Sequence, residues 1–178
     1  MIFETKNLII RDYQDNDRNE LSRICSDNEV MKLVFNGPIP YSKFDEFVAE
    51  NFCSSKNDIG LEVVCNKINN EIMGFAGFHR FLYYLTEEYE IEFGFVLSKK
   101  WHNKGFATEI GKKQIQYALN NLKCRKVFAR AHPQNLASIY VITEKLGLKQ
   151  ASDEVVENRL TFISTKIHLT EQFYNFDS

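Results

Sequence analysis

One strand, followed by a tight loop and a long helix, constrains the fold of this chain more than any other segment. The apolar residues of the strand are Tyr89, Ile91, Phe93, Phe95 and Leu97, and they alternate with Glu88, Glu90, Glu92 and Gly94. A period of two predicts a β-strand over Tyr89–Leu97. After the loop WHNKGFATE, helical spacing runs from Phe106 to about Leu122, and a second strand follows at Lys126–Ala131. A strand, a helix and a strand in this order predict a parallel crossover.

Shorter elements with turns between them flank this segment. They are strands at Leu8–Arg11, Leu61–Cys65, Glu71–Phe78, Leu148–Ala151 and Leu160–Leu169, and helices at Asp15–Ser26, around Phe44–Phe52 and at Asn135–Leu146. Hairpins require antiparallel pairs, and the crossover requires a parallel one. The sequence therefore predicts an α/β (α+β) fold with a mixed, mostly antiparallel central sheet of about six to seven strands and helices on both faces. We expect residues 1–178 to form a single domain, because no repeat or linker interrupts them.

Composition and charge argue against several classes of protein. The 178 residues carry a net charge of -2, which disfavours a nucleic-acid binder with a broad basic surface. No apolar run approaches the roughly 20 residues of a membrane span, and the start lacks the pattern of a signal peptide. The four cysteines form no C-x-x-C pair, which favours buried thiols over a metal site. We expect a cytoplasmic protein without metal, nucleic-acid or membrane partners.

The loop before the long helix has features of an anion site. Amides at a helix start lack acceptors within the helix, and the helix dipole adds positive charge there. Gly105 and Ala107 are small, while His102 and Lys104 add charge. The loop has neither the G-x-x-x-x-G-K-[ST] pattern of triphosphate loops nor the G-x-G-x-x-G pattern of dinucleotide sites. Taken alone, it is equally typical of an ordinary turn.

Three segments, in order along the chain, give the loop a more specific interpretation. They are TKNLIIRDY at Thr5–Tyr13, EIEFGFVLSKKWHNKGFATEI at Glu90–Ile110 and AHPQNLASIYVITEKLGL at Ala131–Leu148. They resemble the opening strand, the pyrophosphate loop with its strand, and the second cofactor segment of the GCN5-related N-acetyltransferase (GNAT) superfamily. The chain looks most like the branch that includes the ribosomal-protein N-terminal acetyltransferases. The resemblance implies the GNAT fold, acetyl-CoA as acyl donor and an amine as acceptor.

The resemblance also implies which residues bind acetyl-CoA. Loop amides would hold the pyrophosphate, the end of the strand would pair with the pantetheine arm, and two further residues would lie near the thioester. These residues are Phe95, Val96, Leu97, His102, Asn103, Lys104, Gly105, Phe106, Ala107, Thr108, Asn135 and Ser138. His102 departs from the family, which usually has Gln or Arg there, so we expect weaker or pH-dependent binding.

Acetyl transfer to an amine requires removal of a proton from that amine. Glu90 and Glu92 share one face of the strand that leads into the loop, and Glu92 aligns with a glutamate that the branch often carries. Both are candidate bases, although carboxylates are equally typical of the solvated face of a strand. The family's usual tyrosine acid is replaced by Ile142, which makes Ser138 the better candidate to protonate the leaving thiolate.

The residues leave other activities and acceptors open. One alternative activity is the transfer of a longer acyl group. Another is the binding of acyl-CoA as a sensor or scaffold without turnover. The acceptor would be a protein N-terminus or a small-molecule amine. Acidic residues in the first helices either attract a cationic amine or simply form a solvated surface. We expect a monomer or homodimer, with the late hairpin as a candidate dimer edge.

Overall fold

The alternating segments of the sequence form a sheet in the computed structural model, which describes residues 3–52 and 59–165. The strands are β1 (Phe3–Glu4), β2 (Leu8–Arg11), β3 (Gly60–Asn66), β4 (Ile72–Tyr83), β5 (Glu88–Leu97), β6 (Lys126–Ala131), β7 (Lys149–Gln150) and β8 (Leu160–Thr165). Within the described residues, the sheet has eight strands in the order β1-β2-β3-β4-β5-β6-β8-β7. The expectation of six to seven strands was wrong, because the two residues of β1 are too few to show a period.

The pairing of the strands confirms a mixed, mostly antiparallel sheet. The pairs β1–β2, β2–β3, β3–β4, β6–β8 and β7–β8 are antiparallel. The strands β5 and β6 are parallel, with Glu92 opposite Phe128, as the predicted crossover requires. The predicted end of β8, after residue 165, lies outside the described residues.

Five α-helices accompany the described strands. They are α1 (Arg18–Ser26), α2 (Asn28–Met31), α3 (Phe44–Asn51), α4 (Phe106–Asn120) and α5 (Leu136–Tyr140). The helix predicted over Asn135–Leu146 is α-helical only as far as Tyr140, because the backbone then widens into a π-helical turn, Val141–Lys145. The amide of Leu146 donates to the carbonyl oxygen of Val141 at 3.0 Å. No described helix has the length and apolarity that a membrane crossing requires.

The chain divides into two compact units, which β4, β5 and α4 link by continuous backbone. The first unit is Met1–His79 with Gly94–Ile110, and the second is Arg80–Phe93 with Gly111–Ser178.

The first unit has a core on each face of its sheet. Alternate residues of β3 point to opposite faces. Val63 and Cys65 therefore pack in the cluster that contains Phe44 and Phe47 of α3. Val64 packs in the other cluster, with Ile110 at the start of α4.

The second unit has an aromatic core. Phe128 lies with its ring centroid 5.3 Å from Phe81 and 4.8 Å from Tyr83. Tyr89, expected on the apolar face of β5, is instead 73% exposed, because it lies at the start of the strand beside the turn at residues 84–87.

Candidate functional site

The loop before α4 combines a 3-10 turn with two left-handed residues. The 3-10 turn is Lys99–Trp101, and φ is then 57° at Asn103 and 85° at Gly105 before α4 begins. Asparagine enters the left-handed region more readily than most residues, which explains why it is tolerated here. The two left-handed residues turn the chain sharply into the first turn of the helix.

The first turn of α4 offers backbone donors next to open space. The amide of Glu109 donates to the carbonyl oxygen of Gly105 at 3.1 Å. The amides of Phe106, Ala107 and Thr108 come before this bond, so they have no acceptor within the helix. A Cβ atom built on Gly105 would meet no described atom within 4 Å. An anion can therefore approach these amides, where the helix dipole also favours it.

Glu109, an acidic residue in this first turn, is held by hydrogen bonds from Asn7, near the start of the chain. Its carboxylate accepts hydrogen bonds from the backbone amide of Asn7 at 2.9 Å and from the side-chain amide of Asn7 at 2.8 Å. Asn7 lies between β1 and β2. The two bonds fix the start of α4 against the first hairpin and satisfy the carboxylate.

Trp101 supports the loop and organises two lysines. Its ring packs edge-on against Phe106, with centroids 5.7 Å apart. The ammonium of Lys100 lies 5.0 Å from the Trp101 ring centroid, and that of Lys104 lies 5.2 Å from it. Lys100 also pairs with Glu71. Cation–π contacts thus hold both ammonium groups against the Trp101 ring, and the charge of Lys100 is also paired with Glu71.

His102 connects the loop to the strand before it. Its ring Nε2 lies 2.8 Å from the carbonyl oxygen of Leu97. A carbonyl oxygen only accepts, so Nε2 carries the proton and donates it. His102 therefore binds the end of β5 through its side chain.

The end of β5 is fixed by close contact with β4. Phe95 and Leu97 pack in one core cluster and Val96 in the other, as alternation predicts. A Cβ atom on Gly74 would lie 1.9 Å from the carbonyl oxygen of Val96, so only glycine allows this approach. The backbone pair described between β5 and β6 is at Glu92, before Phe95.

Asn135 and Ser138 are brought together at the start of α5 in the second unit. Asn135 is the N-cap, and its side-chain oxygen accepts from the amide of Ser138 at 3.2 Å. This use of the Asn135 oxygen leaves its NH2 group to donate elsewhere. Ile142 is 4% exposed, consistent with an apolar core role at the position where the family usually has its tyrosine.

Glu90 and Glu92 both form ion pairs with β6. Lys126 lies 3.3 Å from Glu90, and the Nε of Arg130 lies 2.5 Å from Glu92. Arg130 was not expected from the sequence. The sequence did contain a signal for this contact. Lys126 and Arg130 are basic residues two positions before and after Phe128, so they lie on one face of β6.

The predicted site residues thus form two groups, one in each unit. Phe95–Leu97 and the loop from His102 to Thr108 belong to the first unit, whereas Glu90, Glu92, Asn135 and Ser138 belong to the second. Across residues 3–52 and 59–165, no group of three or more His, Cys, Asp or Glu side chains is arranged to hold a metal ion.

Known proteins resemble this chain over most of its length. The family described as "Acetyltransferase (GNAT) domain" matches residues 7–149. The uncharacterized N-acetyltransferase YnaD of Bacillus subtilis is 26% identical over 152 residues, which cover 84% of each protein. The uncharacterized N-acetyltransferase p20 of Bacillus licheniformis is 28% identical over 144 residues, which cover 78% of this chain and 77% of p20.

Solved structures share the fold at low sequence identity. A GNAT-family acetyltransferase of Bacillus anthracis has a TM-score of 0.75 and 22% identity, covering 93% of this chain and 98% of its own. The spermidine N-acetyltransferase of Vibrio cholerae, solved with CoA and spermine, has a TM-score of 0.74 and 15% identity, covering 93% and 99%.

Proposed function

Because the chain belongs to the acetyltransferase (GNAT) domain family, we propose that it moves an acetyl group from acetyl-CoA to a primary amine. Relatives over most of the chain are named N-acetyltransferases, and the enzyme class follows from them. The acceptor, the residue roles and the order of steps below are our proposal.

The open first turn of α4 is the observation that carries the proposal. The amides from Asn103 to Thr108 hold the CoA pyrophosphate, which approaches over Gly105 because no Cβ atom is in the way. The residues fit this group, since Gly105 has a φ of 85° and open space above it. Lys104 and His102 lie in the same loop, and Lys104 adds positive charge to it.

The remaining contacts to acetyl-CoA come from backbone and small polar groups. The backbone of Phe95, Val96 and Leu97 pairs with the pantetheine arm as an added strand would, and the Val96 amide donates to the thioester oxygen. Asn135 donates through its NH2 group, while Ser138 lies near the sulfur.

Transfer takes place by direct attack in a ternary complex. Glu92, or Glu90 in its place, takes a proton from the ammonium of the acceptor directly or through water. The amine nitrogen then forms a bond to the thioester carbon and gives up its second proton to solvent, while the carbon–sulfur bond breaks and its electron pair leaves with the CoA sulfur. Ser138 supplies a proton to the thiolate and regains one from solvent. The products are the amide, CoA and one released proton.

We propose a protein N-terminus, as in the ribosomal-protein branch, or a small amine as the acceptor. Much of the acidic surface of the first helices is already neutralised, which weakens the case for a polycation. The ion pairs are Asp17–Arg11, Asp45–Arg18, Glu20–Arg23, Glu29–Lys32 and Glu46–Lys43. We further propose that the protein acts in the cytoplasm, as a monomer or homodimer.

Calorimetric titration with acetyl-CoA tests the proposal, with ATP and NAD as controls. We expect selective binding of acetyl-CoA with a dissociation constant of about 1 μM to 1 mM, the range in which the KM values of most enzymes lie. Release of free thiol is then followed with tripeptides, spermidine and amino sugars. A folded protein that fails to bind acetyl-CoA would overturn the proposal, and binding without transfer would overturn its catalytic part.

A further inference from the structure

Arg130 holds the carboxylate of Glu92 in a two-point contact. Its Nε lies 2.5 Å from one carboxylate oxygen of Glu92 and its terminal nitrogen Nη2 lies 3.1 Å from the other. Both side chains are only 16% exposed. A fork of this kind fixes the plane of a carboxylate as well as its charge. Each oxygen keeps a second lone pair, so Glu92 can still accept a proton from an amine or a water.

Arg130 is in turn held on its other sides. Its second terminal nitrogen lies 3.1 Å from Glu157, and the guanidinium carbon lies 4.6 Å from the ring centroid of Phe81. Burial lowers the pKa of Arg130, but the hydrogen bonds and charges of Glu92 and Glu157 outweigh it and raise the pKa above its usual value. Arg130 therefore remains a fixed cation throughout the working pH range.

Glu157 reaches Arg130 from an unfavourable backbone conformation. Val156 and Arg159 exchange backbone hydrogen bonds of 3.0 and 2.9 Å around Glu157 and Asn158, whose φ values are 51° and 60°. Tight turns of this kind normally use Asn-Gly or Asp-Gly, because glutamate enters the left-handed region at a cost. Strain of this kind persists where the surroundings impose it and often marks functional sites.

Further charged groups lie around the ion pair of Glu92 and Arg130 or beside it. Arg130 comes from β6, and Glu157 and Arg159 come from the turn between β7 and β8. Burial lowers the pKa of Arg159, which is also affected by the charges of Glu92, Arg130 and Glu157. Glu90 and Lys126 form the neighbouring pair on β5 and β6.

We propose that Arg130 is a positioning residue for acetyl transfer, which holds the Glu92 carboxylate in one orientation toward the acceptor ammonium. This inference rests on the proposed function and extends it to a residue that does not contact the substrate. Glu157 and Phe81 act through Arg130 by fixing its guanidinium. The proton still moves from the ammonium to Glu92, and Arg130 keeps all of its protons.

The test compares kcat with KM for the acceptor amine in variants of Arg130. We expect Arg130→Met to lower kcat about 10- to 100-fold and to leave KM within about twofold, because the carboxylate is present but no longer held in one plane toward the ammonium. Arg130→Lys keeps the charge but loses the two-point contact, so it should recover stability and only part of kcat. Affinity for acetyl-CoA should stay within about twofold in both variants.

Two further variants separate positioning from stability. Arg11 forms the same two-point contact with Asp17, at 2.7 and 2.8 Å, within the first unit. Arg11→Lys is the matched control, which should lower the melting temperature and leave kcat unchanged. Glu157→Gln removes the charge of a carboxylate that is 75% exposed, so it should fold, hold the Arg130 guanidinium less firmly and lower kcat less than Arg130→Met does.

The outcomes distinguish this inference from the proposed function. If the Arg130 variants lose only stability, as Arg11→Lys does, and their kcat values match the wild type, Arg130 is structural and the inference is overturned. If the wild-type protein binds acetyl-CoA but acetylates no amine, the proposed function fails first and the inference falls with it.

Discussion

The ring of His102 donates a hydrogen bond of 2.8 Å to the carbonyl oxygen of Leu97, which connects the first residue of the anion loop to the last residue of β5. Glutamine, which the family often has at this position, also carries a donor at the end of its side chain. The contact therefore explains how histidine substitutes for it. We propose that His102 holds the loop in place, while the backbone amides provide the donors to the anion.

This contact predicts different effects for two substitutions of His102. His102→Ala should weaken acetyl-CoA binding about three- to tenfold, because a lost hydrogen bond of this kind is worth about 1 kcal/mol. His102→Gln should stay within about twofold of the wild type. Calorimetry with acetyl-CoA measures both, and equal affinities for the two variants would show that the bond to Leu97 does not support the loop.

Gly105 is predicted to be the most sensitive position of the loop. Gly105→Val adds a branched side chain in the open space over the amides, and it also strains a backbone with φ of 85°. We expect at least a tenfold loss of acetyl-CoA affinity. Gly37 is the matched control, since it has φ of 104° and no described atom within 4 Å of a built Cβ. Gly37→Val should lower stability without changing affinity, and a Gly105→Val protein that binds normally would make the loop a simple turn.

The sequence predicted the parts of the fold whose signal is local. The alternation in β5, the helical spacing of α4 and the hairpin of β3 and β4 are all visible in short windows, and the structure confirms them. The two residues of β1 carry no period. The π-helical turn after Tyr140 depends on packing that a propensity scale does not describe.

The environment of Glu92 depends on pairing between distant segments, which the sequence alone did not reveal. Arg130 is 38 residues further along the chain, and its contact follows from the register that places Glu92 opposite Phe128. Glu157 arrives from a turn without glycine, so the usual turn signal was missing there. The base candidate was thus chosen from its strand, whereas its ion-pair partner Arg130 and the neighbour of that partner, Glu157, were not found.

The close contact between β4 and β5 predicts that adding one methyl group at Gly74 strongly lowers the stability of the fold. Gly74→Ala would place a Cβ atom 1.9 Å from the carbonyl oxygen of Val96 and 3.0 Å from the Cα of Leu97. Both neighbours are backbone, so the strands must separate, and we expect a loss of about 3 kcal/mol or more in the free energy of unfolding. Gly94→Ala is the control on β5, because its Cβ would meet nothing within 4 Å. Chemical denaturation that gives equal stabilities for the two variants would contradict the close approach.

Cys25 predicts a pH dependence of stability. Its side chain is fully buried, and burial raises its pKa to about 12, against about 8.5 in an unfolded chain. The folded state therefore keeps the thiol proton at pH values where the unfolded chain has lost it. The contribution of the protonated thiol to the free energy of unfolding is fully present below about pH 8.5 and is lost as the pH rises toward 12. Cys25→Ala should be less stable than the wild type at pH 7.5, and this difference in the free energy of unfolding should narrow by about 2 kcal/mol at pH 10.

Ile24→Val, on the same helix, is the control, and its difference in the free energy of unfolding from the wild type should not change with pH. Chemical denaturation at both pH values checks this, and a gap for Cys25→Ala that does not change with pH would refute it.

Substitution of the glutamates of β5 decides which carboxylate acts as the base. Glu92→Gln keeps the shape of the side chain and still accepts from Arg130 through one oxygen, but it cannot take a proton from an amine. We expect kcat to fall by about 10²- to 10⁴-fold, the usual contribution of a general base, with acetyl-CoA affinity within about twofold. Glu90→Gln tests the neighbouring candidate, and Glu88→Gln, at the exposed start of the strand, is the control.

Single-turnover rates with saturating acetyl-CoA separate the chemical step from product release. A large effect at Glu90 with none at Glu92 would transfer the role to Glu90, and full activity in both variants would mean that the amine loses its proton to solvent before it binds.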